Sequence, residues 1–427
     1  MAISFCVTRS SRNLVRPIEK TPTGTLDLSI IDRLPVLRCN ARTLHVFRHG
    51  PEAAQVIKEA LSKALVAYFP LAGRLKESEN GLLQIDCCEQ GAWFVEASAD
   101  CTLEDVNYFD SVTAIPYDNL LPDHGPEIEG SEPLVQMQVT QFGCGGFVIG
   151  LIFCHSICDG LGAAQFLNAV GEFAKGVDHL SISPVWCRDF SSSPLQKPDI
   201  TTLPILPTPP TPNYRLEHAN VDISLDQINK LKKEFHDSTG QTSSAFEVIA
   251  ATFWKHRTLS IYSNHNTEVK LVFFANCRQL LDPPLAEGFY GNCFFPVTIT
   301  ASSGSLAKKS NADVIKLIKQ AKAGLSVEFN KYLNGEHSIS GDDPFAPPLN
   351  YTTLFVSEWG RLGFNTVDYA WGPPVHVIPI QGSSIMPVGI LGSLPLPKKG
   401  VRLMTWCIEE AHRKPFLDNM MNITSNI

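Results

Sequence analysis

The sequence has no apolar run near the ~20 residues needed to cross a bilayer. Its longest, Phe147–Cys154, has the length of a buried strand. Charge is sparse, at 18% of 427 residues, and acids outnumber Lys plus Arg by 43 to 35 for a net charge of -8. Without a dense Lys/Arg run, nothing can displace counterions from a nucleic-acid backbone, so the expected partners are small molecules, with neither nucleic acid nor membrane involved. An apolar secretory core is also missing. Arg9, Arg12 and Arg16, with no acid before Glu19, faintly imitate a transit peptide, but alternating Ile3, Phe5 and Val7 read as an opening strand. The C-terminal Ser-Asn-Ile is not a peroxisomal Ser-Lys-Leu address, which leaves the cytoplasm as the expected location. The twelve cysteines are spread over the chain without disulfide-framework spacing, and Cys154-x3-Cys158 and Cys87-Cys88 lack companions at zinc-ligand distance. Reduced thiols packed as small hydrophobes, and no metal, are expected.

One segment stands out by composition. Prolines at 204, 207, 209, 210 and 212 remove backbone donors and forbid helix or central strand there. With Pro184, Pro194 and Pro198 upstream, residues 181–218 read as an extended crossover between an N-terminal domain, 1–180, and a C-terminal domain, 219–427. On both sides helices and strands alternate, the pattern of an α/β protein. Val56, Ile57, Ala60, Leu61, Ala64 and Leu65 share one face of a helix over 53–68. Ser224-x-x-Gln227 and Ser244-x-x-Glu247 resemble capping boxes opening two further helices, and 313–325 repeats the helical spacing. Strands are expected at 82–85, 93–96, 135–141, 147–154, 269–274, 353–357, 376–380 and 400–408.

The chemistry concentrates where the apolar strand 147–154 runs into His155-Ser-Ile-Cys-Asp159-Gly160-Leu-Gly162 and then a helix. A polar pair ending a buried strand is costly unless hydrogen-bonded or opened to a site. His155-x3-Asp159 has no third ligand nearby for a metal, and the strained Gly-x-Ser-x-Gly elbow of a serine nucleophile is absent. Two readings remain open from spacing alone: an imidazole that takes a proton from an acceptor hydroxyl or amine, and a satisfied structural histidine.

His155-x3-Asp159-Gly160 after an apolar strand, together with Val367-Asp368-Tyr369-Ala370-Trp371-Gly372-Pro373 late in the chain, resembles the BAHD acyltransferases of plants, with their HxxxDG and DFGWG motifs in that order. Leu28-Ser-x-x-Asp32, Tyr68-Phe-Pro-Leu-Ala-Gly-Arg74, Ser244-Ala-Phe-Glu-Val, Arg278-x-x-x-Asp282-Pro283-Pro284 and Gly288-Phe-Tyr-Gly-Asn292 extend the resemblance over nearly the whole chain. The stretch 142–166 looks nearest the subgroup of taxane, benzyl-alcohol and spermidine acyltransferases. The resemblance implies two similarly folded domains, each a mixed sheet flanked by helices as in chloramphenicol acetyltransferase, with a channel between them. It implies an acyl-CoA co-substrate, no permanently bound cofactor, a small-molecule acceptor and a monomer. By it His155 is the general base, Trp371 an oxyanion donor, and Asp368 a second acid or, more in keeping with its place, a loop-closing residue. Asp159 would pair with Arg278 and, with Gly160, support the site, while Ser243, Ser244, Ser383 and Ser384 would meet coenzyme A. Acetyl, benzoyl and hydroxycinnamoyl donors are all compatible. The acceptor reading is a hydroxyl; an amine acceptor would want acids such as Glu127, Glu129, Glu132 or Asp282 nearby, and a non-catalytic binding homologue would have no use for His155, Asp159 and Trp371. Tyr369 and Ala370 depart from the family's Phe and Gly; Ala there gives up freedom if the turn needs a positive φ, yet activity is expected to survive.

Overall fold

The computed structural model describes residues 5–111, 115–127, 131–190, 212–262, 266–336, 343–380 and 385–423. Along the chain come β1 (Val7–Val15), β2 (Gly24–Asp27), β3 (Asn40–Phe47), α1 (Ala53–Ala67), β4 (Arg74–Glu77), β5 (Leu83–Cys87), β6 (Ala92–Ala99), α2 (Tyr117–Leu120), β7 (Val135–Gln141), β8 (Phe147–Cys154) and α3 (Gly160–Ala174). There follow β9 (Glu217–Ser224), α4 (Leu225–Thr239), α5 (Ala245–Ile261), β10 (Glu268–Asn276), β11 (Phe294–Ser302), α6 (Ser303–Lys308), α7 (Asn311–Ala323), α8 (Leu325–Leu333), β12 (Thr353–Glu358), β13 (His376–Ile380), β14 (Val388–Ser393), β15 (Gly400–Ile408) and α9 (Glu410–Met421).

Two compact units result. One comprises Met1–Lys197, Leu281–Cys293 and Arg361–Gly382, the other Pro198–Leu280, Phe294–Gly360 and Ser383–Ile427. The first holds a six-stranded mixed sheet in the order β1-β6-β7-β8-β3-β13, with β6 and β7 parallel and the other pairs antiparallel. A small sheet β2-β5-β4 stands beside it. The second holds another six-stranded mixed sheet, β11-β10-β12-β14-β15-β9, in which β10, β12 and β14 are parallel. The chain is therefore α/β with two similar halves, as expected.

The single break expected at 181–218 differs from this partition. Leu281–Cys293 and Arg361–Gly382 group with the first unit, because β13 pairs antiparallel with β3 and Val185 bridges to Phe289. The tryptophan-bearing loop thus shares a unit with His155 rather than lying in the C-terminal half. Most of the proline-rich stretch falls at 191–211, outside the described residues.

Local chemistry explains the elements that matter here. β8 lies fourth in its sheet between β7 and β3, which is why its sequence is apolar without alternation. α1 packs against α3. In the second unit both expected capping boxes form, Ser224 with Gln227 and Ser244 with Glu247. A core that includes Trp254, Phe253, Leu271, Ile318, Leu354 and Phe416 joins that unit's helices to its sheet. No helix among the described residues is long and apolar enough to cross a membrane, and all twelve cysteines carry free thiols.

Candidate active site

β8 delivers His155 one residue beyond its end, half-buried, with the main-chain N–H donating to the Cys39 carbonyl at 2.9 Å. Its carbonyl accepts a 2.8 Å hydrogen bond from Asn292 Nδ2. The turn after it closes into α3, whose N-cap is Asp159: one carboxylate oxygen accepts from Gly162 N at 3.0 Å and the other from Cys293 N at 3.4 Å. Gly162 is required by proximity, since a Cβ there would lie 1.8 Å from the Tyr290 carbonyl oxygen. Gly160 likewise starts the helix where a Cβ would come within 2.5 Å of Leu362.

Neighbouring nucleophiles are disarmed. The Ser156 hydroxyl is fully buried and donates to the Leu37 carbonyl at 2.9 Å. Burial pushes the Cys154 thiol up to about 11 and Cys158 well above the usual thiol range. Partly exposed beside these buried groups, the His155 imidazole is a side chain able both to accept and to donate a proton. Among the described residues no group of three His, Cys, Asp or Glu side chains could hold a metal ion.

The late motif lies elsewhere. Asp368 Oδ1 accepts from the N–H groups of Ala370 at 3.0 Å and Gly372 at 2.8 Å, closing its own loop, while Oδ2 stands 3.9 Å from Lys175 Nζ at the C-terminal end of α3. Trp371 packs edge-on against Phe147 at 5.8 Å, and the buried Tyr369 ring meets Phe47 at 5.4 Å. Phe147 begins β8 and His155 follows its end, so at roughly 3.3 Å per residue their backbones are about 26 Å apart. From Asp159 to Lys175 along α3 is likewise about 24 Å at ~1.5 Å per residue. Neither Trp371 as oxyanion donor nor Asp368 as a second acid fits this placement; both close a loop at the far end of the sheet. Ala370 sits there at φ +82, a left-handed conformation that favours glycine.

The remaining candidates divide similarly. In the second unit, Ser244 Oγ is engaged in capping α5, accepting from Glu247 N at 3.2 Å, whereas a buried Ser243 Oγ has no hydrogen-bond partner among the described residues. Lys322 meets Glu247 at 2.6 Å, and Lys319 donates to the Thr242 carbonyl at 2.9 Å, so this helix start carries two ammonium groups. Arg278 bonds the Asn276 side chain of its own turn at 3.2 Å. Ser383, Ser384 and Glu129 lie outside the described residues. Glu132 accepts from Asn40 Nδ2 at 3.2 Å, and Asn40 is the register partner of Cys154.

Three contributors to the His155 turn have no role legible from sequence pattern. Asp32 and Asn292 belong to motifs quoted above without a role, and Arg188 lies in the expected crossover with no motif around it. Arg188 Nη1 pairs with Asp32 at 3.0 Å and its Nη2 donates to the Ile157 carbonyl at 2.9 Å.

The chain is similar to known proteins over nearly its full length. A model of the Transferase family matches residues 5–404. "Acyl transferase 4" of Oryza sativa subsp. japonica is 42% identical over 98% of this chain and 99% of its own. "Myricetin 3-O-glucosyl 1,2-rhamnoside 6'-O-caffeoyltransferase AT2" of Crocosmia x crocosmiiflora is 38% identical over 99% of this chain and all of its own. The crystal structure of vinorine synthase matches with a TM-score of 0.72 at 20% identity over 96% of each chain, a likeness of fold.

Proposed function

Since the chain belongs to the Transferase family of BAHD acyltransferases and is thereby an acyl-CoA-dependent acyltransferase, we propose that it acylates a hydroxyl of a plant specialised metabolite with His155 as general base. The observation that carries this reading is the half-buried imidazole at the end of β8 whose neighbouring serine and thiols are disarmed. The imidazole takes the acceptor O–H proton as the oxygen attacks the thioester carbonyl. The tetrahedral adduct collapses, the C–S bond breaks, and the coenzyme A thiolate recovers the proton from the imidazolium. No acyl-enzyme forms, because no activated nucleophile stands beside the base. Most of the rate enhancement then comes from holding two reactants in line.

Hydroxycinnamoyl-CoA is the favoured donor, in keeping with the caffeoyl transfer named for the Crocosmia relative. Ser243 and the ammonium groups of Lys319 and Lys322 at the start of α5 are suited to coenzyme A phosphates, and Ser244 is a cap rather than a ligand. A cytoplasmic monomer belongs to the same proposal. A matrix of acetyl-, benzoyl- and caffeoyl-CoA against a flavonol glycoside, a terpenoid alcohol, benzyl alcohol and spermidine, read by mass spectrometry, tests the assignment. Ester products with the caffeoyl donor support it; amide formation on spermidine alone would replace it.

A further inference from the structure

Three segments remote in sequence meet beneath the His155 turn. Asp32, fully buried, receives Arg188 Nη1 at 3.2 and 3.0 Å, Asn292 N at 3.1 Å and Asn292 Nδ2 at 2.8 Å. The far sides of the same donors grip the turn: Asn292 Nδ2 also reaches the His155 carbonyl at 2.8 Å, and Arg188 Nη2 the Ile157 carbonyl at 2.9 Å. The Arg188 guanidinium is stacked 4.1 Å from the Trp186 ring, and a Cβ at Gly291 would lie 1.5 Å from Nη1, so glycine at 291 makes room for this arginine. With the Cys39 carbonyl holding the His155 N–H, the backbone that aims the imidazole is tied on both sides.

We propose that Asp32, Arg188 and Asn292 form a clamp of positioning residues that fixes the direction of the His155 side chain for proton transfer. The clamp rests on the reading of His155 as base. Its two cross-links end on main-chain carbonyls, so they act on where the imidazole points and not on its chemistry. A displacement of about 1 Å at the reacting geometry is enough to cost ~100-fold in rate.

The test is a double-mutant cycle. Asn292→Ala in the otherwise native enzyme is expected to lower kcat by roughly 10- to 100-fold, with KM for acyl-CoA within about threefold and a native near-ultraviolet circular dichroism spectrum. In the His155→Ala enzyme the same substitution is expected to change residual turnover by less than about twofold, because the group it positions is gone. An equal loss in both backgrounds would mean a merely structural role and overturn the clamp. An inactive His155→Ala enzyme beside an unimpaired Asn292→Ala enzyme overturns the clamp alone; full turnover of His155→Ala overturns the base assignment and the clamp with it. If Asn292→Ala does not fold, Arg188→Lys is scored identically, since lysine keeps the charge facing Asp32 but cannot reach the Ile157 carbonyl as well.

Discussion

Replacing Ala370 by Gly is expected to stabilise the protein without changing catalysis. Ala370 holds φ +82, a conformation in which Cβ crowds its own backbone. The loop imposes it, because Asp368 Oδ1 binds the N–H groups of residues 370 and 372 together and Trp371 is seated against Phe147. A left-handed conformation costs an L-residue about 1–2 kcal/mol, and the extra freedom of glycine in the unfolded chain returns about 0.4–1 kcal/mol of that. A net gain of about 0.5–1 kcal/mol is left, worth roughly 1–4 °C in melting midpoint for a unit of a couple of hundred residues. Thermal and urea unfolding by circular dichroism measure it. Turnover should stay within about twofold, because the loop is separated from His155 by the length of β8. A lower melting midpoint, or a turnover change above tenfold, would refute both the strain argument and the placement of this loop as structural.

Two further outcomes follow from buried polar groups. The Tyr369 hydroxyl is buried without a hydrogen-bond partner among the described residues, so Tyr369→Phe should raise stability by about 1 kcal/mol in the same urea assay, and a loss would show that the hydroxyl is satisfied. Desolvation holds the fully buried His45 imidazole down at about 3, and burial holds His218 and His256 at about 4. The unfolded chain takes up these protons near pH 6.5 and the folded one does not, so stability is complete above that pH and falls as pH drops through the interval toward 3–4. At pH 5, His45 alone removes about 2 kcal/mol, and identical unfolding free energies at pH 7 and pH 5 would contradict the burial argument.

Strands 135–141, 147–154, 376–380 and 400–408 and the helix opening at Ala53 were legible because their apolar patterns are local. β3 was not, since Arg42, Thr43 and His45 interrupt its apolar residues, although Thr43 and His45 are buried and bond each other at 2.8 Å. Pro415 hid α9, and two glycines thinned the signal of β14. Chain order suggested that the Trp371 loop belongs to the C-terminal half. The antiparallel pairing of β13 with β3 decides otherwise, and register between strands hundreds of residues apart leaves no local trace. His155 and its N-capping Asp159 could be read from a strand running into a Gly-rich turn. The rings of Trp186, Phe289 and Tyr290 that surround the Arg188 guanidinium and give it its place beneath that turn are assembled only by the fold.

The claim on which the rest depends is that His155 moves the proton. Thiol release from caffeoyl-CoA, followed colorimetrically with and without a hydroxyl acceptor, should be acceptor-dependent in the native enzyme and fall by roughly 10²–10⁴-fold in His155→Ala, with the melting midpoint unchanged. Equal turnover by the two enzymes would contradict the account.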